Sequence, residues 1–344
     1  MGSTVPQTQR DVFGWLADRN GCGHLRIEVP LGELARHGVA SGYSDRIPKG
    51  RQGELLIDPD LFKTVIAQRT CNPGPTLLWQ NTARASRRPR LIYELDDDLL
   101  DIDPSNTRAH AFFSQPHIRA NLLTNLAVAD AVTVSTEALA SVVRQHTAAP
   151  IHVIPNYLPA WLLDHERPSS GDDTVTIGWG GSSTHQMDIT QIGTHLRRIM
   201  ERNPHTELHL MGTNYAKDWG ISDRVRFTEW TQSVPEYWRR IDYDVMLAPL
   251  RPHVFNASKS ALRPLEAAAL GIPVVASDYG PYAEFVRHGE TGFLVKHDHE
   301  WGRYLRELVN DRAMREEMGA AGRRQAADWT VEGNVGAWAK VIEG

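Results

Sequence analysis

The feature that most constrains the fold of this 344-residue chain is a repeated alternation of short apolar strands with helical segments. Buried strands that alternate with helices are typical of βαβ units, which form parallel sheets with helices on both faces. The alternation runs twice, and a polar stretch with Pro, Ser and Gly at Trp161–Asp173 separates the two series. The pattern therefore predicts an α/β chain of two doubly wound, Rossmann-like domains.

The two series supply the following predicted elements. The first has strands at Thr76–Trp79, Leu91–Leu95, Ala131–Ser135 and Ile151–Ile154, with helices at Ile118–Ala129 and Thr136–Gln145. The second has strands at Val175–Gly178, Glu207–Met211, Val225–Phe227, Asp244–Ala248 and Pro273–Ala276, with helices at Met187–Asn203, Val234–Ile241, Leu265–Leu270 and within Glu300–Glu343. We expect domains at 1–160 and 174–325, a linker at 161–173 and a C-terminal segment at 326–344.

The location of a ligand follows from this architecture. Doubly wound sheets bind ligands at the carboxyl ends of their strands, so two such edges facing each other predict a deep cleft as the binding site.

Composition narrows the class of protein. The formal net charge of −5 gives no electrostatic reason to expect nucleic acid or an anionic membrane as a partner. Two cysteines, Cys22 and Cys71, do not make a disulfide framework and fit a reducing compartment. The sequence shows no signal peptide and no apolar stretch long enough to span a bilayer. We therefore expect a cytoplasmic location, and a peripheral membrane contact stays open.

The stretch from Pro252 to Val295 carries the most chemical information. The predicted strand Asp244–Ala248 leads into a loop that contains Asn256, Lys259 and Ser260, and a helix follows. Free N–H groups and the helix dipole favour an anion at such a helix N-terminus. The sequence therefore predicts an anion site at the carboxyl end of this strand.

Charged side chains complete this predicted site. Lys259 and Arg263 add positive charge beside the anion, and Glu266 is expected in the first turn of the helix. A carboxylate there accepts two hydroxyl hydrogen bonds, as a ribose diol requires. One short stretch thus predicts a diphosphate site and a ribose site together, although Lys259 as a surface lysine and Glu266 as a helix N-terminal acid are the simpler readings.

The same stretch resembles the donor-binding signature of the retaining glycosyltransferases of the GT-B fold, glycosyltransferase family 4 and its relatives. The resemblance lies in Glu266–Val275 and in the turn Gly289–Val295. Those proteins often have a second acidic residue eight positions before the first of these segments, where this chain has Ser258, so it resembles instead a branch with a Lys-Ser pair, here Lys259-Ser260. The resemblance implies that Glu266 binds the ribose and Lys259 the donor diphosphate.

The resemblance extends more weakly over the rest of the chain. Gly21–Gly23 with Arg26 and Pro30 looks like the family's N-terminal glycine-rich loop and the helix after it, which implies a donor contact at Gly23. Ile154–Asn156 resembles the end of the N-terminal domain, and the segment from Asp328 to Ile342 resembles the last helix, which returns to that domain. The N-terminal domain would then hold the acceptor and the C-terminal domain the donor.

One segment departs from the family pattern. Many members have an Arg and a Lys that grip phosphate after the first strand of the second domain, whereas this chain reads Gly178–His185 there, with neither. A turn with Gly180, Gly181 and Ser182 still offers N–H and hydroxyl donors to a phosphate. His185 follows this turn and is a further candidate, although 15 histidines make any one weak evidence.

Three consecutive aspartates, Asp96 to Asp98, follow the predicted strand Leu91–Leu95. Asp97, with Asp96 beside it, is a candidate to contact donor-sugar hydroxyls or to serve the acceptor. A metal-binding Asp-x-Asp and a polar turn with a helix N-cap are the alternatives. The metal alternative fits poorly, because that motif belongs to a fold with one nucleotide domain.

Other residues weigh less. His24 and His253 have the same status as His185, and Trp179 and Trp230 are candidates to stack on a base, although tryptophans at strand ends are more often core residues. The sequence contains no Cys/His cluster at metal-ligand spacing, no Walker A motif and no Gly-x-Ser-x-Gly elbow.

The resemblance implies transfer of a sugar from a nucleotide diphosphate sugar to an acceptor, with retention of configuration and without an obligatory metal or other cofactor. Lys259, Arg263 and the helix N-terminus would stabilise the departing diphosphate. The same fold also admits an epimerase or a phosphorylase, and a cytosolic nucleotide- or sugar-binding protein without turnover is a second alternative. The sequence identifies neither the donor's sugar and base nor the acceptor, for which a glycan, lipid, protein, metabolite or modified nucleobase stays open, nor the oligomeric state.

Overall fold

The chain folds into two compact units. The computed structural model describes residues 10–47, 56–168 and 174–344, so residues 1–9 and 48–55 of the predicted first domain and residues 169–173 of the predicted linker lie outside the described residues. Described residues up to Leu100, together with Ala111–Tyr157 and Val331–Gly344, form the first unit. Asp101–His110 and the described residues of Leu158–Thr330 form the second.

The described part of the first unit contains a six-stranded sheet. Its strands are β1 (Arg10–Trp15), β2 (Ser41–Ser44), β3 (Phe62–Gln68), β4 (Arg90–Leu95), β5 (Ala131–Val134) and β6 (Ile151–Val153). They lie in the order β2-β1-β3-β4-β5-β6, and all neighbours are parallel. The order of the strands reverses between β1 and β3, and ligands of doubly wound sheets bind in the crevice at such a switch point.

The second unit repeats this plan in its described residues. Its strands are β7 (Val175–Gly181), β8 (Thr206–Gly212), β9 (Val225–Glu229), β10 (Val245–Ala248), β11 (Val274–Ser277) and β12 (Gly292–Val295). They lie in the order β12-β11-β10-β7-β8-β9, again all parallel. The switch point therefore falls between β7 and β10. The prediction of two doubly wound α/β domains with parallel sheets is confirmed.

Helices connect the strands. The α-helices are α1 (Gly21–Gly23), α2 (Val29–Arg36), α3 (Pro73–Arg84), α4 (Thr107–Phe113), α5 (Pro116–Ala127), α6 (Glu137–Val143), α7 (Gln186–Thr190), α8 (Gly193–Arg202), α9 (Val234–Arg239), α10 (Val254–Ala257), α11 (Leu262–Ala269), α12 (Gly280–Phe285), α13 (Asp298–Asn310), α14 (Arg312–Ala326) and α15 (Val331–Glu343). A π-helical turn at His24–Glu28 joins α1 to α2. Across the described ranges, no helix has both the length and the apolar character needed to cross a bilayer.

The predicted strand at Thr76–Trp79 is wrong, because these residues belong to helix α3. Pro73 occupies the first turn of that helix, where its missing N–H costs nothing. Leu78 and Trp79 face the core, whereas Leu77 is 47% exposed, as expected for a helix with one buried face. A short apolar run does not by itself distinguish a buried strand from a buried helical face. The strands missed in this unit include β1 and β3, which are central to its sheet.

The last helix belongs to the core of the first unit. Trp338 of α15 is 1% exposed and packs in one cluster with Val12, Ile66 and Ile92 from the strands. The guanidinium of Arg26 lies 5.3 Å from the centroid of the Trp338 ring. Residues at the two ends of the described chain therefore complete the same core.

In the second unit, the helix predicted at Met187–Asn203 is broken into α7 and α8 by Gln191 and Ile192. Gly271, predicted to follow the C-cap of a helix, has φ +65° after the C-cap Leu270 of α11, so that prediction is confirmed. The core of this unit packs α8, α13 and α14 against the sheet around Leu196, Leu305 and Met318.

A pair of glycines tests the packing of the first sheet. A β-carbon added at Gly14 of β1 would lie 2.8 Å from Leu31 Cδ1 and closer still to Ile27, whereas one added at Gly32 of α2 would meet nothing within 4 Å. We expect Gly14→Ala to lower the free energy of unfolding by about 1–3 kcal/mol through overpacking. Gly32→Ala should instead raise it by about 0.5–1 kcal/mol, since alanine favours the helix. Denaturant unfolding of both variants measures this, and equal effects would contradict the packing described.

Candidate active site

The switch point of the second sheet places the predicted donor residues at one edge. Strand β10 ends at Ala248, and the chain then forms the short helix α10 before α11 begins at Leu262. Lys259 and Ser260 lie in the connection between these two helices, as the sequence predicts. Gly180 and Gly181 end the neighbouring strand β7, so they are strand residues and not the predicted turn.

Lys259 lies beside a network of buried polar groups. Its Nζ is 4.3 Å from the centroid of the Phe255 ring. His185 Nδ1 lies 3.2 Å from Asp188 Oδ2, and Asn256 Nδ2 donates to Asp188 Oδ1 at 3.1 Å. Asp188 thus holds two of the predicted candidates, His185 and Asn256, in place near Lys259.

Electrostatics fix the protonation states in this network. Burial lowers the pKa of His185 to about 4, and the charges of Lys259 and Arg263 add to this effect, so the ring is neutral at pH 7. Burial would raise the pKa of Asp188, but hydrogen bonds from His185 and the Arg251 N–H outweigh it and lower this pKa. The network therefore presents a neutral imidazole and an ionised carboxylate close to a lysine.

Arg263 joins helix α11 to strand β7. Its guanidinium donates to the carbonyl oxygen of Gly180 and lies 5.6 Å from the centroid of the Trp179 ring. A guanidinium has five N–H donors, so this contact leaves others for a ligand. The contact orients the positive charge toward the carboxyl end of β7.

Glu266 is a buried acid on the same helix. It is the fifth residue of α11 and lies in the second turn of that helix. The prediction that Glu266 lies in the first turn is therefore wrong. The residue is 6% exposed, and its Oε1 accepts a hydrogen bond of 2.7 Å from the Trp238 indole N–H. Burial raises the pKa of Glu266 to about 7, although the Trp238 hydrogen bond and Arg263 oppose this. No pattern in the sequence indicates the supporting role of Trp238.

The end of strand β7 is crowded on one side by aromatic rings. A β-carbon added at Gly180 would lie 2.7 Å from the Tyr237 hydroxyl, and one added at Gly181 would lie 2.6 Å from Trp179. Glycine is therefore required here by close packing. Beyond the strand, the Ser182 hydroxyl is 2.7 Å from that of Thr184, within a short 3₁₀ turn that leads to His185.

Ser258 occupies the position where the resembling family often has an acid. It is 3% exposed, and its hydroxyl donates to the Val254 carbonyl at 3.3 Å, which closes helix α10. Trp179 is 1% exposed and belongs to the core, as the simpler reading of the sequence holds.

In the first unit, the predicted glycine-rich loop is a helix start. Gly21–Gly23 forms α1, and a β-carbon at Gly23 would collide with the Asp18 carbonyl, so the glycine is needed for close backbone approach. Arg26 is 1% exposed, and its Nε donates to Glu94 Oε1 at 2.7 Å. Burial raises the pKa of Glu94 to about 7 despite this ion pair. Arg26 thus lies in the interior of the first unit.

The aspartates after β4 lie at the carboxyl edge of the first sheet. Asp96 is 8% exposed, and its Oδ1 is buried without a hydrogen-bond partner in the described structure. Asp97 is half-buried, and Asp98 accepts from the Leu100 N–H at 3.0 Å, so the turn reading holds for Asp98. Among the described residues, no group of three or more His, Cys, Asp or Glu could hold a metal ion.

Arg69 is a residue of this edge that the sequence did not indicate. It follows β3, has φ +37°, and pairs with Asp18. The guanidinium interacts electrostatically with Cys22, Asp96 and Asp97, so Arg69 lies close to the acids of the first unit. Strained backbone of this kind is concentrated at functional sites. The sequence analysis does not predict strand β3, and without that strand nothing indicates that Arg69 lies at the edge of the sheet.

Residues 175–311 match the family described as "Glycosyl transferases group 1". That match covers about two fifths of the chain and spans the sheet of the second unit together with its described site residues.

Curated relatives match over short regions. The lipopolysaccharide core biosynthesis mannosyltransferase LpsB of Rhizobium meliloti (strain 1021) is 38% identical over 81 residues, which is 23% of this chain and 21% of that protein. A D-inositol 3-phosphate glycosyltransferase of Thermobifida fusca (strain YX) is 30% identical over 159 residues, or 40% of this chain and 35% of that protein. The chain therefore aligns with only about a fifth to a third of these relatives.

Solved structures match over most of the chain. Anabaena Alr3699/HepE, crystallised with UDP and glucose, has a TM-score of 0.68 at 16% identity and covers 97% of this chain and 100% of its own. S. aureus TarM, crystallised with UDP and other ligands, has a TM-score of 0.58 at 16% identity and covers 82% of this chain and 55% of its own. The predicted GT-B fold of two Rossmann-like domains is thereby confirmed.

The raised pKa of Glu266 predicts a pH-dependent stability. An acid that ionises near 4.5 when unfolded and near 7 when folded stabilises the native state fully below pH 4.5, and this stability is lost as pH rises to about 7. The loss is roughly 3 kcal/mol, at about 1.4 kcal/mol per pKa unit. Glu266→Gln, which keeps an acceptor for Trp238, should remove this loss and be more stable than the parent above pH 7.

Denaturant unfolding of the parent and Glu266→Gln between pH 4.5 and 8 measures the difference. Glu201→Gln is the matched control, because Glu201 is a largely exposed acid on α8. Parallel pH profiles for the parent and Glu266→Gln would show that Glu266 ionises normally in the folded protein.

Proposed function

We propose that this chain is a glycosyltransferase that moves a sugar from a nucleotide diphosphate sugar to an acceptor. The observation that carries the proposal is the cluster of charges around Arg263 at the switch point. Arg263 contacts Gly180, acts electrostatically on Glu266, and acts together with Lys259 on His185. The match of residues 175–311 to a glycosyltransferase family supports the same activity. The LpsB relative is named as a mannosyltransferase, which is consistent with a nucleotide-sugar donor.

In this proposal the donor diphosphate lies at the end of strand β7. Lys259 and Arg263 supply positive charge, the Gly181–Ser182 backbone supplies N–H donors, and the dipole of α11 adds to the field. Breaking the glycosidic bond leaves negative charge on the diphosphate, so these fixed groups lower the barrier to its departure. Neutral His185 adds a hydrogen-bonding group to this site without adding charge.

The donor ribose lies against Glu266. A carboxylate has about four acceptor positions, so the hydrogen bond from Trp238 leaves acceptors for a ribose diol. The burial that raises the pKa of Glu266 is offset when two hydroxyl groups donate to the charged form. Trp238 therefore acts as a positioning residue that aims the carboxylate.

The stereochemical part of the proposal rests on the family resemblance. Transfer with retention places the acceptor on the same face as the leaving diphosphate, which then takes the acceptor proton as the new bond forms. No metal ion is required in this scheme. Asp97 and Asp96 of the first unit are proposed to contact sugar or acceptor hydroxyls. NMR of the product anomer, with and without EDTA, tests both features.

A lysine variant tests the diphosphate site. We expect Lys259→Ala to lower kcat/KM by about 100-fold, the size seen when one fixed group that stabilises developing negative charge is removed. Lys217→Ala, at an exposed lysine of the same unit, should stay within twofold of the parent. A Lys259→Ala enzyme within twofold of the parent would exclude the phosphate role.

Nucleotide binding tests the donor class. In thermal unfolding with UDP, GDP, ADP, TDP and CMP, a ligand at 100 times its Kd should add about 2.7 kcal/mol of stability. We expect at least one diphosphate to stabilise the parent, and Lys259→Ala and Glu266→Gln each to weaken that effect. If none of the five stabilises the parent, the transferase proposal fails.

Turnover separates the transferase from its alternatives. Product analysis without an acceptor distinguishes it from an epimerase, which converts the donor alone. A chain that binds a diphosphate but neither transfers nor slowly hydrolyses any donor would be a binding protein.

A further inference from the structure

Trp230 is exposed where most tryptophans of this chain are buried. Seven of the ten tryptophans are 7% exposed or less, whereas Trp230 is 54% exposed. Leaving an indole in water forgoes much of the large apolar burial that this side chain offers. An exposed indole at a ligand-binding edge therefore calls for a partner.

The position of Trp230 is fixed by the sheet. It directly follows strand β9, whose last residue Glu229 pairs with Gly212 of β8, and Gly212 pairs with Gly181 of β7. The three strand ends therefore lie in one row at the carboxyl edge. Neighbouring strands are about 4.8 Å apart, so Trp230 lies roughly 10 Å along this edge from the end of β7.

The indole of Trp230 packs against the end of strand β8. A β-carbon added at Gly212 would lie 2.9 Å from Trp230 Cε3, so the indole lies against the backbone of that glycine. Gly212 has φ +92°, a conformation that also favours glycine. Because Gly212 carries no side chain, the indole of Trp230 and the half-buried backbone of Gly212 form this part of the edge.

We propose that Trp230 is the stacking platform for the nucleobase of the donor. This inference rests on the proposed function, since it places the base on the edge that holds the diphosphate and ribose. The separation of roughly 10 Å between Trp230 and the end of β7 gives the ribose room between base and diphosphate. Stacking on an indole suits any base, and a purine, with two rings, covers more of it than a pyrimidine.

The test is calorimetric titration of the 344-residue chain with GDP, UDP and inorganic pyrophosphate. Trp230→Ala should lower the affinity for both nucleotides at least about fivefold, with the greater loss for GDP. The affinity for pyrophosphate should stay unchanged. Trp230→Phe should restore most of the affinity, because a phenyl ring also stacks. Phe227→Ala is the matched control, since Phe227 is a 41% exposed aromatic residue on β9.

The outcomes are distinguishable. Equal nucleotide affinity in the parent and Trp230→Ala would overturn the inference and leave the proposed function standing. Loss of pyrophosphate binding in Trp230→Ala would also overturn the inference, because the indole would then support the fold. A change in the molecular mass of this variant by light scattering would overturn it as well, because the indole would then contact a second copy of the chain. If the parent binds pyrophosphate but neither nucleotide, both the base platform and the donor assignment fail.

Discussion

Parallel strand direction is the constraint on which both units depend. When all strands of a sheet run the same way, their carboxyl ends and the N-termini of the following helices share one edge. The faces of each sheet are covered by helices, so polar side chains have little place except at the edges. Asp96 and Arg69 directly follow strands of the first unit, and Arg263 contacts Gly180 at the end of a strand of the second, so these charged groups lie at such an edge.

The buried polar groups of both units are stabilised individually by partners. Arg26 pairs with Glu94, Trp238 donates to Glu266, and Asp188 binds His185. A buried charge without such partners would be strongly unfavourable. Even so, the two glutamates keep a raised pKa, which means that the folded chain holds carboxyl groups that water would solvate better. Residues retained at a cost to stability are expected where function requires them.

The sequence predicted the second unit better than the first, for a physical reason. The strands of the second unit are bounded by Gly, Pro and polar residues, which makes them easy to predict. Lys259, Arg263 and Glu266 lie within eight residues of one another, so a single stretch of sequence indicates the chemistry of the site. In the first unit, β1 carries Arg10 and Asp11 and β3 carries Lys63 and Gln68, and these polar residues obscure the apolar pattern of both strands. Because the sequence does not predict strand β3, it does not predict the position of Arg69 at the end of that strand.

Some contacts were beyond any sequence pattern. Trp238 reaches Glu266 across 28 residues, and Arg26 reaches Glu94 across 68. Such pairs are set by how helices pack on the sheet, which periodicity does not specify. The turn predicted at Gly180–Gly181 failed for a related reason, because glycine serves there to admit the rings of Tyr237 and Trp179 and not to turn the chain.

The placement of α15 has a consequence for synthesis on the ribosome. Trp338 fills the core of a unit whose last strand, β6, ends about 185 residues earlier, with the sheet of the second unit made in between. At about 5–20 residues per second, the nascent first unit waits roughly 10–40 s with the site of that indole unfilled. None of the described helices and strands of the second unit comes from α15, so this unit can complete its core before α15 is made. The unit that leaves the ribosome first is thus the last to reach its native core, and during that interval it is the part of the chain most in need of a chaperone.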